Sequence, residues 1–190
     1  MLKYLIFIFI LSSNFIAGSI YDYYKHPVSS NASNYGFTGI YEIPTARFME
    51  EASLRFNFSS SYPHEFTSIT ASPFNWMEAS YRYVELKNRL YGPSTYSDNQ
   101  TSKDKGFDVK FKLINENQWR PAFALGLTDI GGTGGFSSEY IVASKIFGNF
   151  DFTGGIGWGI LGRDSNIKNP LSSYSDNFKS RVGTSGFGGD

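Results

Sequence analysis

The stretch GFDVKFKL (Gly106–Leu113) sorts its residues into two sets: Phe107, Val109, Phe111 and Leu113 alternate with Asp108, Lys110 and Lys112. A repeat of two places successive side chains on opposite sides of an extended chain. An apolar set and a charged set at this spacing therefore mark a β-strand with two unlike faces. A helix of period 3.6 would mix both sets around its circumference and bury charge on every side.

The same alternation spreads outward in both directions. In ASLRFNFSS (Ala52–Ser60), Leu54, Phe56 and Phe58 oppose Arg55, Asn57 and Ser59. Glu65–Ser72 is a weaker candidate. After the turn residues Pro73, Phe74 and Asn75, the segment Trp76–Leu86 sets Met77, Ala79, Tyr81 and Tyr83 against Glu78, Ser80 and Arg82. Asn88–Gly106 is polar and expected to be a loop. Beyond GFDVKFKL and an Asn115-Glu116-Asn117 turn, Arg120–Thr128 sets Phe123, Leu125 and Leu127 against Ala122, Ala124 and Gly126. Glu139–Phe147 sets Tyr140, Val142 and Ile146 against Glu139 and Lys145, and Gly148-Asn149 turns the chain. Asp151–Ile160 then opposes Phe152, Ile156, Trp158 and Ile160 to Asp151, Thr153 and three glycines. These are seven candidate strands with turn chemistry between them, and no helical period follows residue 19. The expected fold is all-β, an antiparallel up-and-down meander.

Composition agrees and removes several function classes. Aromatic residues make up 18% of the 190, with 20 glycines, a mix that suits strands and turns. Formal charge is zero with no long basic run, so nucleic acid is not an expected partner. The chain holds no Cys, which removes disulfides, thiolate nucleophiles, Cys-ligated zinc and lipid attachment at an N-terminal Cys. His26 and His64 lack ligand spacing, there is no Gly-x-Ser-x-Gly elbow, and no cofactor is expected. Asn31, Asn57 and Asn99 begin glycosylation-type triplets that read as coincidence.

The first nineteen residues resemble a secretory leader. Lys3 supplies the positive end, Leu5–Leu11 the apolar stretch and Ala17-Gly18-Ser19 a small-residue cleavage site. An apolar run that short does not span a bilayer, which takes about 20 residues. The expected organisation is a signal peptide at 1–19, an extended lead-in at 20–51, the barrel segment at 52–162, and a polar, truncated loop at 163–190.

A soluble sheet hides its apolar face in a core, whereas a membrane barrel shows it to lipid. The better strands run to the length a tilted strand needs to cross a bilayer, about 9–11 residues. Charge is absent from the middle of their apolar faces, and the final strand opposes glycine and threonine to its aromatic face. With a leader in front, these features favour a partial outer-membrane β-barrel over a secreted sandwich. Seven strands are fewer than a closed single-chain barrel uses, so the sheet is expected to continue beyond the sequence.

DIGGTGGFSSEY (Asp129–Tyr140) carries four glycines in five residues. A phosphate-binding loop needs a helix after it, and a strand follows here instead, so a tight inter-strand connection is the expected role.

Several segments together resemble the YjbH-like family: NYGFTGIYEIPTAR (Asn34–Arg47), SPFNWMEASYRY (Ser72–Tyr83), KDKGFDVK (Lys103–Lys110), GLTDIGGTGGFSSEYIVASK (Gly126–Lys145) and DFTGGIGWGILG (Asp151–Gly162). The resemblance implies an outer-membrane β-barrel that takes part in exopolysaccharide production or export in Gram-negative bacteria. It implies no catalytic residue, and members several times longer than this chain. Some members are described as lipoproteins, and the missing Cys departs from them. Expected partners are outer-membrane lipid, a polysaccharide and other exopolysaccharide export proteins.

Candidate lumen or polysaccharide-contacting residues are Glu78, Arg82, Asp108, Lys110, Lys112, Glu139, Lys145 and Asp151, all placed opposite an apolar set. A self-satisfied charge network and a polysaccharide path are both consistent with them; a glycosidase pair would need two carboxylates at a set separation. Trp76, Tyr81, Tyr83, Tyr91, Tyr140 and Trp158 suit interfacial girdles or sugar stacking. On this reading Val109→Lys blocks membrane assembly while Lys110→Ala is tolerated.

Overall fold

The computed structural model describes residues 30–162 and 167–178. The expected leader, residues 1–19, falls outside the described residues. Seven antiparallel strands form one sheet in simple sequence order. They are β3 (Ser53–Ser61), β4 (His64–Phe74), β5 (Met77–Leu90), β6 (Thr101–Ile114), β7 (Ala122–Thr128), β8 (Ser138–Phe147) and β9 (Phe150–Gly159). Each of the seven alternating segments of the sequence is one of these strands. Among the described residues β3 and β9 do not pair with each other, so the sheet is open.

β5 and β6 run past their expected ends and pair from Met77↔Phe111 as far as Leu90↔Thr101, across a bulge. Between Thr101 and Lys105 both faces are polar, so hydrophobic contrast gives no strand signal there. Polar cross-strand contacts hold this extension instead: Thr101 and Lys103 of β6 both reach Glu85 of β5, Lys103 at 4.0 Å, and Lys87 of β5 meets Glu65 of β4 at 3.0 Å. A four-residue helix, α1 (Ser94–Ser97), sits in the loop beyond.

Before the sheet, residues 30–52 form a strap with a minimal hairpin, β1 (Gly39–Ile40) paired to β2 (Ile43–Pro44). The strap lies across one face of the sheet, called inner here. Asn57 and Ser59 of β3 bond to the carbonyls of Ser33 and Asn34. Thr70 of β4 bonds to the Gly36 carbonyl. At its far end the Ala46 N–H donates to Ser144 Oγ of β8 (2.8 Å) and Arg47 reaches Asp151 of β9. The expected extended lead-in is thus, from residue 30 onward, a packed layer over the sheet.

Two small clusters form the core between strap and sheet. One joins Ala46 to Ala122, Ala124, Tyr140 and Val142, with Phe48 and Leu161 against it. The other joins Phe66, Val84, Leu86 and Phe136, with Tyr35 and Ile160. Gly126 is required by the first: a Cβ there would overlap the Tyr140 ring directly across the ladder.

The opposite, outer face is apolar and uncovered over most of its area. Phe56 is 72% exposed, Phe58 68%, Phe107 54% and Phe152 58%. They share the face with Leu54, Ile69, Val109 and Ile156, as the registers Phe56↔Ile69, Ala79↔Val109 and Ile141↔Ile156 require.

Candidate functional site

The inner face holds the charges, and the ladder sets them side by side. Glu78 pairs across to Lys110 and Ser80 to Asp108, while Arg82 faces Gly106. Glu78 and Lys110 form an ion pair of 3.0 Å with both side chains 1% exposed. The Glu78 carboxylate also accepts from Thr38 N–H (3.0 Å), Thr38 Oγ1 (2.6 Å) and Met49 N–H (2.7 Å). Lys110 Nζ donates to the carbonyls of Thr38 (3.0 Å) and Arg47 (2.7 Å) and lies 4.4 Å from the Phe48 ring centre. All three ammonium donors are therefore used, two of them on strap backbone. Lys112 is only half-buried, with its Nζ 4.8 Å from the same ring.

A second constellation lies under the glycine-rich loop. The Arg82 guanidinium is held between the rings of Tyr35 (5.5 Å) and Phe136 (4.9 Å). Its Nη2 is 3.4 Å from Asp108 Oδ1, close enough for ion pairing, but Nε and Nη2 form no hydrogen bond within the protein. Asp129 N–H donates to Asp108 (2.8 Å), Phe136 N–H to Asp129 (3.2 Å) and Thr133 Oγ1 to Asp104 (2.6 Å). These bonds fold residues 129–137 back over β6 and drive Phe136 into the aromatic cluster.

The glycines now have a physical reason. A Cβ on Gly132 would overlap the Asp129 carboxylate and the Lys105 carbonyl, Gly134 has φ +83°, and Gly106 faces Asp129 and Arg82 with no room for a side chain. The connection is tight as expected, and its tightness is directed inward. Burial pushes the Asp129 carboxyl above the usual carboxylate range, and burial with the nearby Glu42 charge raises the Tyr35 hydroxyl to about 12.

At the other end of the sheet Arg47 makes a bidentate pair with Asp151 (2.9 and 2.6 Å) and a third bond to Glu116 (2.7 Å). Glu116 also accepts from Lys145 (3.1 Å) and from Ile146 N–H (2.9 Å). Burial acts against ionising Glu116, but the bonds from Ile146, Arg47 and Lys145 outweigh it and hold the carboxyl below its ordinary value. Burial likewise opposes the Arg47 charge, and Asp151 and Glu116 reverse that and raise its pKa.

Of the eight candidate residues, the structure places Glu78, Arg82, Asp108, Lys110, Lys112 and Asp151 on the inner face. Glu139 and Lys145 are corrected: on β8 the inner set is Ser138, Tyr140, Val142 and Ser144, registered with Thr128, Gly126, Ala124 and Ala122 of β7. The faces are reversed because the strap buries the apolar side of β8. Glu139 instead shares the outer face, where Asn169 Nδ2 donates to it (2.9 Å) and Trp158 Nε1 donates to the Ile167 carbonyl (2.9 Å). Tyr140, 2% exposed beneath the strap, does not belong to a surface girdle.

Arg47, Glu116, Asp104 and Asp129 complete the network and were not among the candidates. Arg47 lies in an aperiodic segment and Glu116 in a turn, so alternation carries no signal for either. Among the described residues no group of three or more His, Asp or Glu is placed to hold a metal ion.

The family profile for YjbH, described as exopolysaccharide biosynthesis protein YbjH, matches residues 31–190. The chain belongs to the YjbH family. An uncharacterized lipoprotein YjbH from Escherichia coli (strain K12) is 43% identical over 156 residues, covering 82% of this chain and 22% of that protein. The chain thus spans about a fifth of the length of that YjbH relative. No solved structure matches it. The family match covers the strap, the glycine-rich loop and the whole sheet, so the network just described lies entirely within the YjbH-related region.

Proposed function

We propose that this segment is part of the wall of an outer-membrane β-barrel that takes part in exopolysaccharide or capsule production or export without catalysing a reaction. The observation that carries the proposal is the contrast between the two faces: one apolar and uncovered apart from Glu139 beneath Asn169, the other charged and packed against the strap. In water, an exposed apolar area of this extent would aggregate; in a bilayer it is the required exterior.

Its dimensions suit that role. Trp76 stacks with Phe74 (5.2 Å) and with Phe111 (6.2 Å) at one end of β5, and charge begins at Glu85 near the other. At strand rise that separation is about 30 Å of chain, or about 23 Å of height at a 40° tilt, close to the apolar band of outer-membrane barrels. Two of the three turns at the Arg47 end of the sheet, Asn75-Trp76 and Gly148-Asn149, are only two residues long. Short turns suit the periplasmic side, which would leave the glycine-rich loop at the outer side.

The link to polysaccharide rests on the family. A strain lacking the gene, complemented with the natural gene or with Val109→Lys, tests it. Restoration of surface polysaccharide by the natural gene alone supports the reading; undiminished polysaccharide in the deletion strain refutes it. A second reading, a barrel that serves as an assembly scaffold and passes nothing, is favoured by the filled inner face. Conductance of the purified protein separates the two.

A further inference from the structure

We propose that residues 30–50 of the strap and the inward loop, residues 129–137, form a displaceable plug seated on the inner face of the barrel wall. The proposal rests on the barrel reading above and adds a regulatory state to it.

The interface combines two small apolar clusters with ionic and backbone-polar anchors: Lys110 to the Thr38 and Arg47 carbonyls, Glu78 to Thr38 and Met49, and Arg47 to Asp151 and Glu116. Such buried ion pairs add little net stability, because desolvation offsets most of their attraction. The middle of the surface beneath the plug is ready for water: Glu78, Arg82, Asp108, Lys110 and Lys112 would hydrate on exposure, between the apolar patches of Phe66, Val84 and Leu86 and of Tyr140 and Val142.

The closed packing also leaves several of its polar groups without a hydrogen bond inside the protein. Ser68 Oγ, Arg82 Nε and Nη2, Asp104 Oδ2, Asp108 Oδ2 and Asp129 Oδ1 are buried without a hydrogen-bonding partner in the protein. All lie on the inner face or under the loop, and none is typical of a fully settled interior. Opening lets water reach them while leaving the strand ladder intact. The strap hairpin is loosely seated at one point: a cleft of about 180 Å³ separates Ile43 and Pro44 from Tyr140, Val142, Thr153 and Gly155. The two plug parts meet at Tyr35 and Phe136 (6.3 Å), so releasing one frees a contact of the other.

The test uses the complete natural chain in lipid vesicles, with a strap deletion (31–50) and, in case that variant assembles poorly, Arg47→Ala with Thr38→Ala, which leaves the sheet untouched. Vesicle flotation scores insertion, and efflux of an entrapped neutral oligosaccharide scores opening. The plug predicts that the natural chain inserts and is nearly closed, and that either variant inserts and raises efflux by about tenfold or more. An Ala46→Cys/Ser144→Cys pair, which joins strap to β8, should hold efflux at the closed level when oxidised. Insertion with unchanged efflux in both variants overturns the plug and leaves the barrel standing. Failure of the natural chain to float with vesicles overturns both.

Discussion

Lys110 and Glu78 meet 3.0 Å apart on neighbouring strands, each 1% exposed, and both are bonded to the backbone of the same strap. This pair fastens a segment more than thirty positions upstream to the middle of the sheet. The pair belongs to the seat of the strap, and a view of Lys110 as a lumen-lining cation free to be removed is corrected by its three bonds.

Lys110→Ala is therefore expected to destabilise the folded segment by about 3–5 kcal/mol, since it leaves the Glu78 carboxylate buried without its counter-charge. Glu78→Gln combined with Lys110→Met removes both charges and should cost less than either single change. Denaturant midpoints of the refolded protein give the comparison. A double variant no better than Lys110→Ala would count against the pairing.

On the outer face the expectation concerns assembly. Val109→Lys puts an ammonium in the middle of the apolar band, at about 2–4 kcal/mol in lipid. Lys103→Ala changes the charged rim and should assemble normally. Heat-modifiable gel mobility reports assembly, and equal behaviour of the two variants would contradict the face assignment.

Glycines 131 and 132 are neighbours with opposite constraints. The nearest atom to a Cβ on Gly131 would be Phe107 Cδ2 at 3.6 Å, an ordinary contact, whereas a Cβ on Gly132 would overlap the Asp129 carboxylate. Gly131→Ala should be close to neutral, and Gly132→Ala should cost about 1–3 kcal/mol by overpacking. Faster hydrogen exchange at the Phe136 amide, which is bonded to Asp129, would locate the damage.

Acid should loosen the strap at its Arg47 end first. The Glu116 pKa is depressed in the fold, so its contribution is present above the unfolded value, about 4.3, and is lost as pH falls through the folded value. Exchange at the Ile146 amide, bonded to Glu116, should rise below about pH 4. Glu116→Gln should already exchange faster at neutral pH and show a smaller acid dependence.

Alternation made all seven long strands legible, because each places unlike residues on its two sides. It also assigned the faces of β5 and β6, where charged and apolar side chains alternate. On β8 both faces are buried in part, Tyr140 by the strap and Glu139 by Asn169, so period alone could not say which was inner. The strap was illegible for a related reason. Its order comes from single bonds to different strands, up to 104 positions away, and from no periodicity of its own. The glycine cluster was visible from the start; its purpose needed Asp129, Lys105 and Arg82 in place around it.

The central claim is that the uncovered apolar face meets lipid while its opposite does not. Spin labels placed singly at Ala79, Phe107, Val109, Leu125 and Ile141 of the vesicle-inserted protein test it most directly. The account predicts collision with dissolved oxygen and protection from a water-soluble nickel chelate at all five. Free collision with the nickel chelate across that face would contradict it and return the sheet to water.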